Sequence, residues 1–143
     1  MAVSKEFVLS GKAIFTCELP DGSHYTYKVA KKEASEKFPK PVYWAFLLTG
    51  PNNQDDYTYL GTLRDYEGQV SSTAKSKVSQ DTLSFKLLNR LLARVWTNDH
   101  EAYEQHGYKL HHEGQCGKCG NPLTTPESVQ RGIGPKCWKK LGY

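Results

Sequence analysis

The sequence has no stretch of about 18 consecutive apolar residues, the length that a membrane-spanning helix needs. Its first residues also lack the long apolar segment of a secretory signal peptide. The first absence excludes a helical membrane anchor, and the second argues against export. We therefore expect a cytoplasmic protein that has no membrane partner.

Cysteine is scarce as well, since the 143 residues contain only four, at positions 17, 116, 119 and 137. Because the cytosol keeps thiols reduced, we expect metal ligands or buried core thiols rather than disulfides. The length suits one domain, or one domain with a small appended module. An apolar fraction of 38% is enough for a modest hydrophobic core.

The formal net charge of +4 is confined to the end of the chain. Residues 1–108 carry 13 Lys and Arg against 13 Asp and Glu, whereas residues 109–143 carry six against two. This asymmetry predicts an anionic partner for the C-terminal segment. Part of the excess would instead balance a metal site, because three thiolates and Zn²⁺ together sum to minus one.

Cys116 and Cys119 have two residues between them, and each is followed by glycine. This spacing predicts a tight turn that directs both thiolates at one ion, as in a zinc knuckle. Cys137 supplies a third thiolate after 17 further residues. Structural Zn²⁺ takes four nitrogen or sulfur ligands, and the nearest remaining donors are His111 and His112. We therefore predict one structural zinc ion in a site of three cysteines and one histidine.

Period-two alternation predicts an antiparallel sheet over the first 70 residues. The predicted strands are 13–19, 25–29, 42–49, 57–63 and a short fifth near 69–73, with a charged connection at 31–40 and a turn at 50–56. The strand at 42–49 is apolar on both faces, which is typical of a covered central strand.

Cys17 belongs to the first of these strands. Its side chain shares a face with Phe15 and Leu19, which predicts a buried core thiol. We therefore treat Cys17 only as a reserve zinc ligand, in case both histidines fail.

One long amphipathic helix is predicted from residue 79 or 81 to residue 96. Six apolar residues fall at helical spacing and form one stripe: Leu83, Leu87, Leu88, Leu91, Leu92 and Val95. This stripe would pack on one face of the sheet, with Asp81 as the N-cap. Beside it Lys86, Arg90 and Arg94 form a basic stripe, which predicts either a solvated face or a secondary contact with phosphates.

The last 35 residues predict a small zinc module. A threonine at 124 or 125 would cap a helix that ends at Gly132, and Pro135 would open a last helix that presents Cys137. This order resembles a treble-clef zinc finger. Lys140 stands where that plan has its fourth ligand, so the fourth ligand must come from upstream.

Together these patterns predict an α+β protein in two units. Residues 1–108 would form an antiparallel β-sheet body covered by the one long helix. Residues 109–143 would form the treble-clef-like zinc module.

Four motifs carry a family resemblance: HEGQCGKCG at 112–120, PLT at 122–124, PES at 126–128 and GIGPKC at 132–137. They resemble the C-terminal module of an uncharacterised family of short phage and bacterial proteins. The resemblance implies a zinc-binding accessory protein of phage origin that works in the cytoplasm of the host cell. It also favours His112 over His111 as the zinc ligand, and it implies no reaction.

Residues 131–136 are similar to the turn of a helix-hairpin-helix motif, in which glycine amides bind a DNA phosphate. By that resemblance Gly132 and Gly134 would approach a phosphate, and neighbouring cations would hold it. The cations of this surface are Arg131, Lys136, Lys139 and Lys140. The motif normally has a small residue where this chain has Trp138, so a turn shaped only to deliver Cys137 to zinc is an equally good interpretation.

We therefore predict a binding protein and not an enzyme, because three thiolates and a histidine would leave zinc no open position for catalysis. A nuclease-like zinc protein is the exception that we retain, although no second Asn-His group follows the knuckle. Two hypotheses follow. In the first, the basic module binds DNA or RNA phosphates. In the second, a phage-encoded protein binds and inhibits a host or defence protein, and zinc serves only the fold.

Overall fold

A computed structural model describes residues 3–32, 36, 41–52 and 55–143. Its elements in chain order are α1 (Lys5–Val8), β1 (Lys12–Glu18), β2 (His24–Lys32), β3 (Val42–Leu48), β4 (Tyr57–Arg64), β5 (Glu67–Ser71), α2 (Leu83–Trp96), α3 (Glu101–Glu104), β6 (Lys109–His112), α4 (Pro126–Arg131) and α5 (Pro135–Lys140). Parts of the predicted connection at 31–40 and of the turn at 50–56 lie outside the described residues. Among the described helices, none is long and apolar enough to cross a membrane.

The strands form one curled antiparallel sheet in the order β5-β4-β3-β2-β1-β6. The predicted α+β class is confirmed, and β3 occupies the interior of the sheet as its apolar sequence indicates. The prediction that both faces of β3 are covered is wrong, because Trp44 is 37% exposed. Strands β1 to β5 are each paired with their neighbours in sequence, whereas β6 returns to pair with β1, where His112 lies opposite Phe15. Residues 109–112, which the sequence assigns to the zinc module, therefore extend the sheet of the body.

Helix α2 packs on one face of the sheet, which we call the inner face. Five of the six residues of its predicted apolar stripe are buried, namely Leu87, Leu88, Leu91, Leu92 and Val95. The sixth, Leu83, is 56% exposed at the first residue of the helix, so its predicted packing on the sheet is wrong. The Tyr27 hydroxyl donates to the Ser84 carbonyl at 2.7 Å. The Asn89 side chain bonds both the amide and the carbonyl of Val70, at 2.6 and 3.2 Å, and so satisfies backbone groups of the edge strand β5.

The predicted N-cap of α2 is wrong. Asp81 does not cap this helix, which begins at Leu83 with Thr82 in the N-cap position. The Thr82 hydroxyl donates to the carbonyl of Ser79 at 2.7 Å, so the preceding turn fixes where the helix begins.

Helix α1 and strand β6 were not predicted. In α1 the Ser4 side chain accepts a hydrogen bond from the Phe7 amide at 3.1 Å, a normal N-cap. In β6, Leu110 and His112 are buried and alternate with more exposed neighbours. Each element is only four residues long, so neither shows enough periods for a sequence pattern to identify it.

Leu88 is fully buried between α2 and the sheet. We expect Leu88→Ala to lower the free energy of unfolding by about 2–5 kcal/mol, because the lost methyl groups leave a cavity. Lys86→Ala, an exposed change on the same helix, should alter it by less than about 0.5 kcal/mol. Urea denaturation followed by circular dichroism measures both, and equal effects would contradict the packing of α2 on the sheet.

Candidate metal centre

The sulfur atoms of Cys116, Cys119 and Cys137 lie within 4.8 Å of one another. Across the described parts of the chain, no other group of three His, Cys, Asp or Glu side chains comes this close. Sulfur ligands about 2.3 Å from a tetrahedral zinc ion are roughly 3.8 Å apart, so the cluster is close to the size that zinc requires. These three thiols could therefore hold one metal ion.

The first two thiols are positioned by a closed turn. The Cys116 amide donates to the Asn121 carbonyl, and the Gly120 amide donates to the Cys116 carbonyl, both at 2.8 Å. Gly120 has a φ of 81°, a left-handed conformation that glycine adopts without strain. The turn therefore directs Cys116 and Cys119 to one side, as the Cys-x-x-Cys spacing predicts.

The third thiol, that of Cys137, lies on a helix. Thr125 caps α4 by accepting a hydrogen bond from the Ser128 amide, and Gly132 ends that helix with a φ of 73°. Pro135 then begins α5, and Cys137 is the third residue of this helix. The predicted caps and the predicted position of Cys137 are confirmed.

Two backbone amides point at the sulfur of Cys116, from Gly134 at 3.3 Å and from Lys118 at 3.4 Å. Burial acts to raise the pKa of Cys116, but hydrogen bonds to its sulfur from Gly134, Cys119 and Lys118 outweigh burial, and the pKa falls to about 7. Burial and the neighbouring thiols raise the pKa of Cys137. A bound cation would reverse that second effect, because it stabilises the thiolate form of each ligand.

The amides of the glycine turn have partners within the protein. Gly132 donates to the Ser128 carbonyl at 2.8 Å, and Gly134 donates to the sulfur of Cys116. These contacts favour the interpretation that the turn serves to position Cys137 beside the other two thiols. Binding of a phosphate by the same two amides stays a prediction.

The metal centre is joined to the sheet through Phe7, whose role the sequence did not reveal. The Gly117 amide donates to the Gly132 carbonyl at 2.8 Å, and the Phe7 ring lies against both glycines. A Cβ atom at either position would clash with that ring. The knuckle and the end of α4 therefore approach α1 as closely as two glycines allow.

His112 lies near this junction but not in the cluster of three sulfurs. Its Nε2 is 2.5 Å from the Val129 carbonyl, and its Nδ1 accepts from the Gly114 amide at 2.9 Å. Its ring centre is 5.4 Å from that of Phe7. Both ring nitrogens thus bond the backbone, and the role of His112 as the fourth ligand stays a prediction.

The two reserve ligands lie elsewhere. His111 Nε2 is 3.8 Å from Glu18 Oε1 at the edge of the sheet. Cys17 is buried in the sheet, where burial, and then the charge of Glu18, raises its pKa to about 12. Its position agrees with the predicted core thiol.

The predicted phosphate contacts fall into two groups. Lys136, Lys139 and Lys140 are exposed on α5. Arg131 instead packs within the module, where its guanidinium lies 4.7 Å from the ring centre of Trp138. The ring of Trp138 also stacks on that of Tyr143, with centres 4.4 Å apart.

The secondary basic stripe on α2 borders a cavity of about 650 Å³ that is lined by Arg90 and Arg94 together with Tyr103 and His106. Arg94 also lies 3.6 Å from Asp99. Lys86 is exposed on the same helix and does not line this cavity. The stripe is therefore divided between a cavity wall and a solvated surface.

Residues 111–142 match the model of a family of unknown function, DUF6011. The match covers the metal centre and the end of β6, which is less than a quarter of the 143 residues. No curated protein and no solved structure matches the chain. The similarity thus coincides with the zinc module, and the phage origin stays a prediction.

Cys137→Ala should abolish stoichiometric zinc binding, because two thiols cannot replace a closed site of four ligands. Cys17→Ala is the matched control, since this thiol is buried outside the cluster and its loss should leave zinc content unchanged. Elemental analysis of protein purified without chelator measures both. Full zinc occupancy in the Cys137 variant would contradict the assignment.

Zinc affinity should rise between about pH 6 and pH 8, because the thiols must lose protons in order to bind the metal. The pKa of Cys116 is about 7 and that of Cys137 is raised, so both thiols are protonated at the lower end of this range. Competition against a chelator of known affinity, repeated across the range, provides the measurement. A zinc affinity that does not change with pH would be inconsistent with thiolate ligands.

Proposed function

We propose that this chain is a zinc-stabilised nucleic-acid-binding protein whose C-terminal module contacts phosphates. The observation that carries the proposal is the face of α5. Lys136, Lys139 and Lys140 have the i, i+3, i+4 spacing that places them on one side of a helix, and all three are exposed. Among the described residues, none of the three forms an ion pair with an acidic side chain. Such a cluster of mobile cations suits a polyanion.

In this proposal zinc is structural and the module is a treble-clef-like finger. Ile133 is the one large apolar side chain that is fully buried between 113 and 143, so hydrophobic burial alone gives the module little stability. Structural zinc supplies a binding free energy on the order of 10 kcal/mol or more, which becomes folding free energy. The metal would thereby fix α5 and its lysines in place.

His112 remains the proposed fourth ligand, because it is buried next to the module and precedes Cys116 by one short turn. Coordination would require one ring nitrogen to exchange its backbone partner, Val129 or Gly114, for the metal. Ligation by His112 would close the shell, and we accordingly propose binding rather than catalysis as the function.

Affinity for a DNA duplex should fall with salt, with a slope of log affinity against log salt of roughly −2 to −4, because each neutralised phosphate releases counterions. The double variant Lys139→Glu/Lys140→Glu should flatten this slope by about one to two and leave zinc content unchanged. Fluorescence anisotropy with labelled duplex measures the effect.

The matched control is Lys75→Glu/Lys77→Glu, which makes the same charge change at two exposed residues outside the module. It should change the slope much less. Absence of binding at about 50 mM salt by folded, zinc-loaded protein would refute the proposal. The alternative hypothesis, that the protein binds and inhibits a host or defence protein, would then be the better supported of the two.

A further inference from the structure

The face of the sheet opposite α2, which we call the outer face, carries four aromatic side chains on β3 and β4. They are Trp44, Phe46, Tyr57 and Tyr59. In the strand register Phe46 lies opposite Tyr59, and their ring centres are 5.8 Å apart. Trp44 is 37% exposed, and the other three are half-buried. The four rings therefore lie on one face of the sheet, and Trp44 is the most exposed of them.

Lysine side chains lie over these rings. The Lys28 Nζ is 5.5 Å from the ring centre of Phe46 and 5.1 Å from that of Tyr57. The Lys32 Nζ is 5.4 Å from the ring centre of Trp44. Cations and aromatic rings are thus interleaved on one surface, which is the composition of sites that bind single-stranded nucleic acids.

A cavity of about 500 Å³ lies beside this surface and shares Lys28 with it. It is lined by residues of β1, β2 and the knuckle, among them Lys12, Ile14, Lys28, Ala30, Gln115 and Cys119. Lys12, which is exposed, and Lys28, which is half-buried, both line the cavity, so its wall carries positive charge. A phosphate fits such a cavity by charge.

We propose that the outer face binds a single-stranded nucleic acid, with backbone phosphates in the cavity beside Cys119 and bases on the rings of Trp44 and Phe46. The inference rests on the proposed function, in which the ligand is a nucleic acid. It adds that this ligand is single-stranded and that the outer face is a second binding surface. The lysines of α5 do not belong to this surface, and Cys119 is the one predicted zinc ligand that lines its cavity.

The relative strengths of the contacts allow a base to replace a lysine on a ring. An exposed contact between a cation and a ring is worth roughly a factor of 2–5 in an equilibrium constant. Stacking of a base on an aromatic side chain is worth about 5- to 150-fold per base. A base therefore displaces the ammonium group from the ring, and the freed lysine then pairs with a phosphate.

The same surface discriminates against other ligands. A duplex hides the faces of its bases, so it gains from the lysines but not from the rings. An acidic protein segment likewise pairs with the lysines and has no bases to stack. Glu113 accepts a hydrogen bond from Thr16 at 2.6 Å, and burial, followed by the charge of Glu113, raises the pKa of Tyr57. Glu113 therefore repels phosphates from the part of this face beside Tyr57.

Trp44→Ala tests the proposal, with Tyr66→Ala as the matched control because Tyr66 is 72% exposed in the turn before β5. The probes are labelled oligothymidylate and oligouridylate of about 12 nucleotides, a length within the range that such sites cover. Trp44→Ala should weaken binding of these probes by about 5- to 150-fold, whereas Tyr66→Ala should leave it within about twofold. A labelled duplex should show little difference between the two variants.

Lys28→Met keeps an apolar side chain over the rings and removes only the charge. For oligothymidylate, it should flatten the slope of log affinity against log salt by about 0.7, which is the contribution of one phosphate contact on a single strand. This second variant keeps the proposal testable if Trp44→Ala fails to fold. Whether oligothymidylate or oligouridylate binds more tightly decides between DNA and RNA, and either order upholds the proposal.

The binding of these variants distinguishes failure of this inference from failure of the proposed function. If Trp44→Ala and Lys28→Met bind single strands like the wild type while Lys139→Glu/Lys140→Glu does not, the outer face is not the site and the finger proposal stands. If the wild type binds no nucleic acid, both fail. If Trp44→Ala dissociates a dimer in sedimentation and leaves oligonucleotide binding intact, the occupant is a second copy and the inference is wrong.

Discussion

The close approach of three thiols constrains the whole C-terminal third of the chain. Sulfur atoms within 4.8 Å of one another repel once they ionise, and only a cation makes three thiolates at that spacing stable. The apolar core of residues 113–143 is too small to compensate, since Ile133 is their one large fully buried apolar side chain. A metal ion bound by these three thiols would therefore join the knuckle to α5.

The constraint extends into the sheet because the C-terminal module packs directly against the rest of the protein. Strand β6 pairs with β1, and Phe7 of α1 packs against Gly117 and Gly132 at the two sides of the metal centre. Loss of metal would thus loosen the contact between the knuckle and the sheet.

The sequence predicted the elements that repeat a pattern and missed those that depend on tertiary contacts. The alternation in β1 and β2, the apolar run of β3 and the stripe of α2 are each long enough to identify an element, and the spacing of the three cysteines meets a fixed chemical requirement. Helix α1 is too short for periodicity, although Ser4 is a recognisable N-cap and Phe7 follows it at the right distance. The apolar sequence of β3 identified a central strand but could not show that the face bearing Trp44 remains open to solvent. Which amides of the glycine turn bond Cys116 depends equally on the folded arrangement.

X-ray absorption at the zinc edge of the purified protein tests the central claim most directly, because it counts ligands by element and distance. Our account predicts three sulfur atoms at about 2.3 Å and one nitrogen at about 2.0 Å. In Cys119→Ala, one sulfur should disappear from the first coordination shell. A first shell of nitrogen and oxygen atoms with fewer than three sulfurs would show that the thiol cluster is not the metal site, and it would contradict the account.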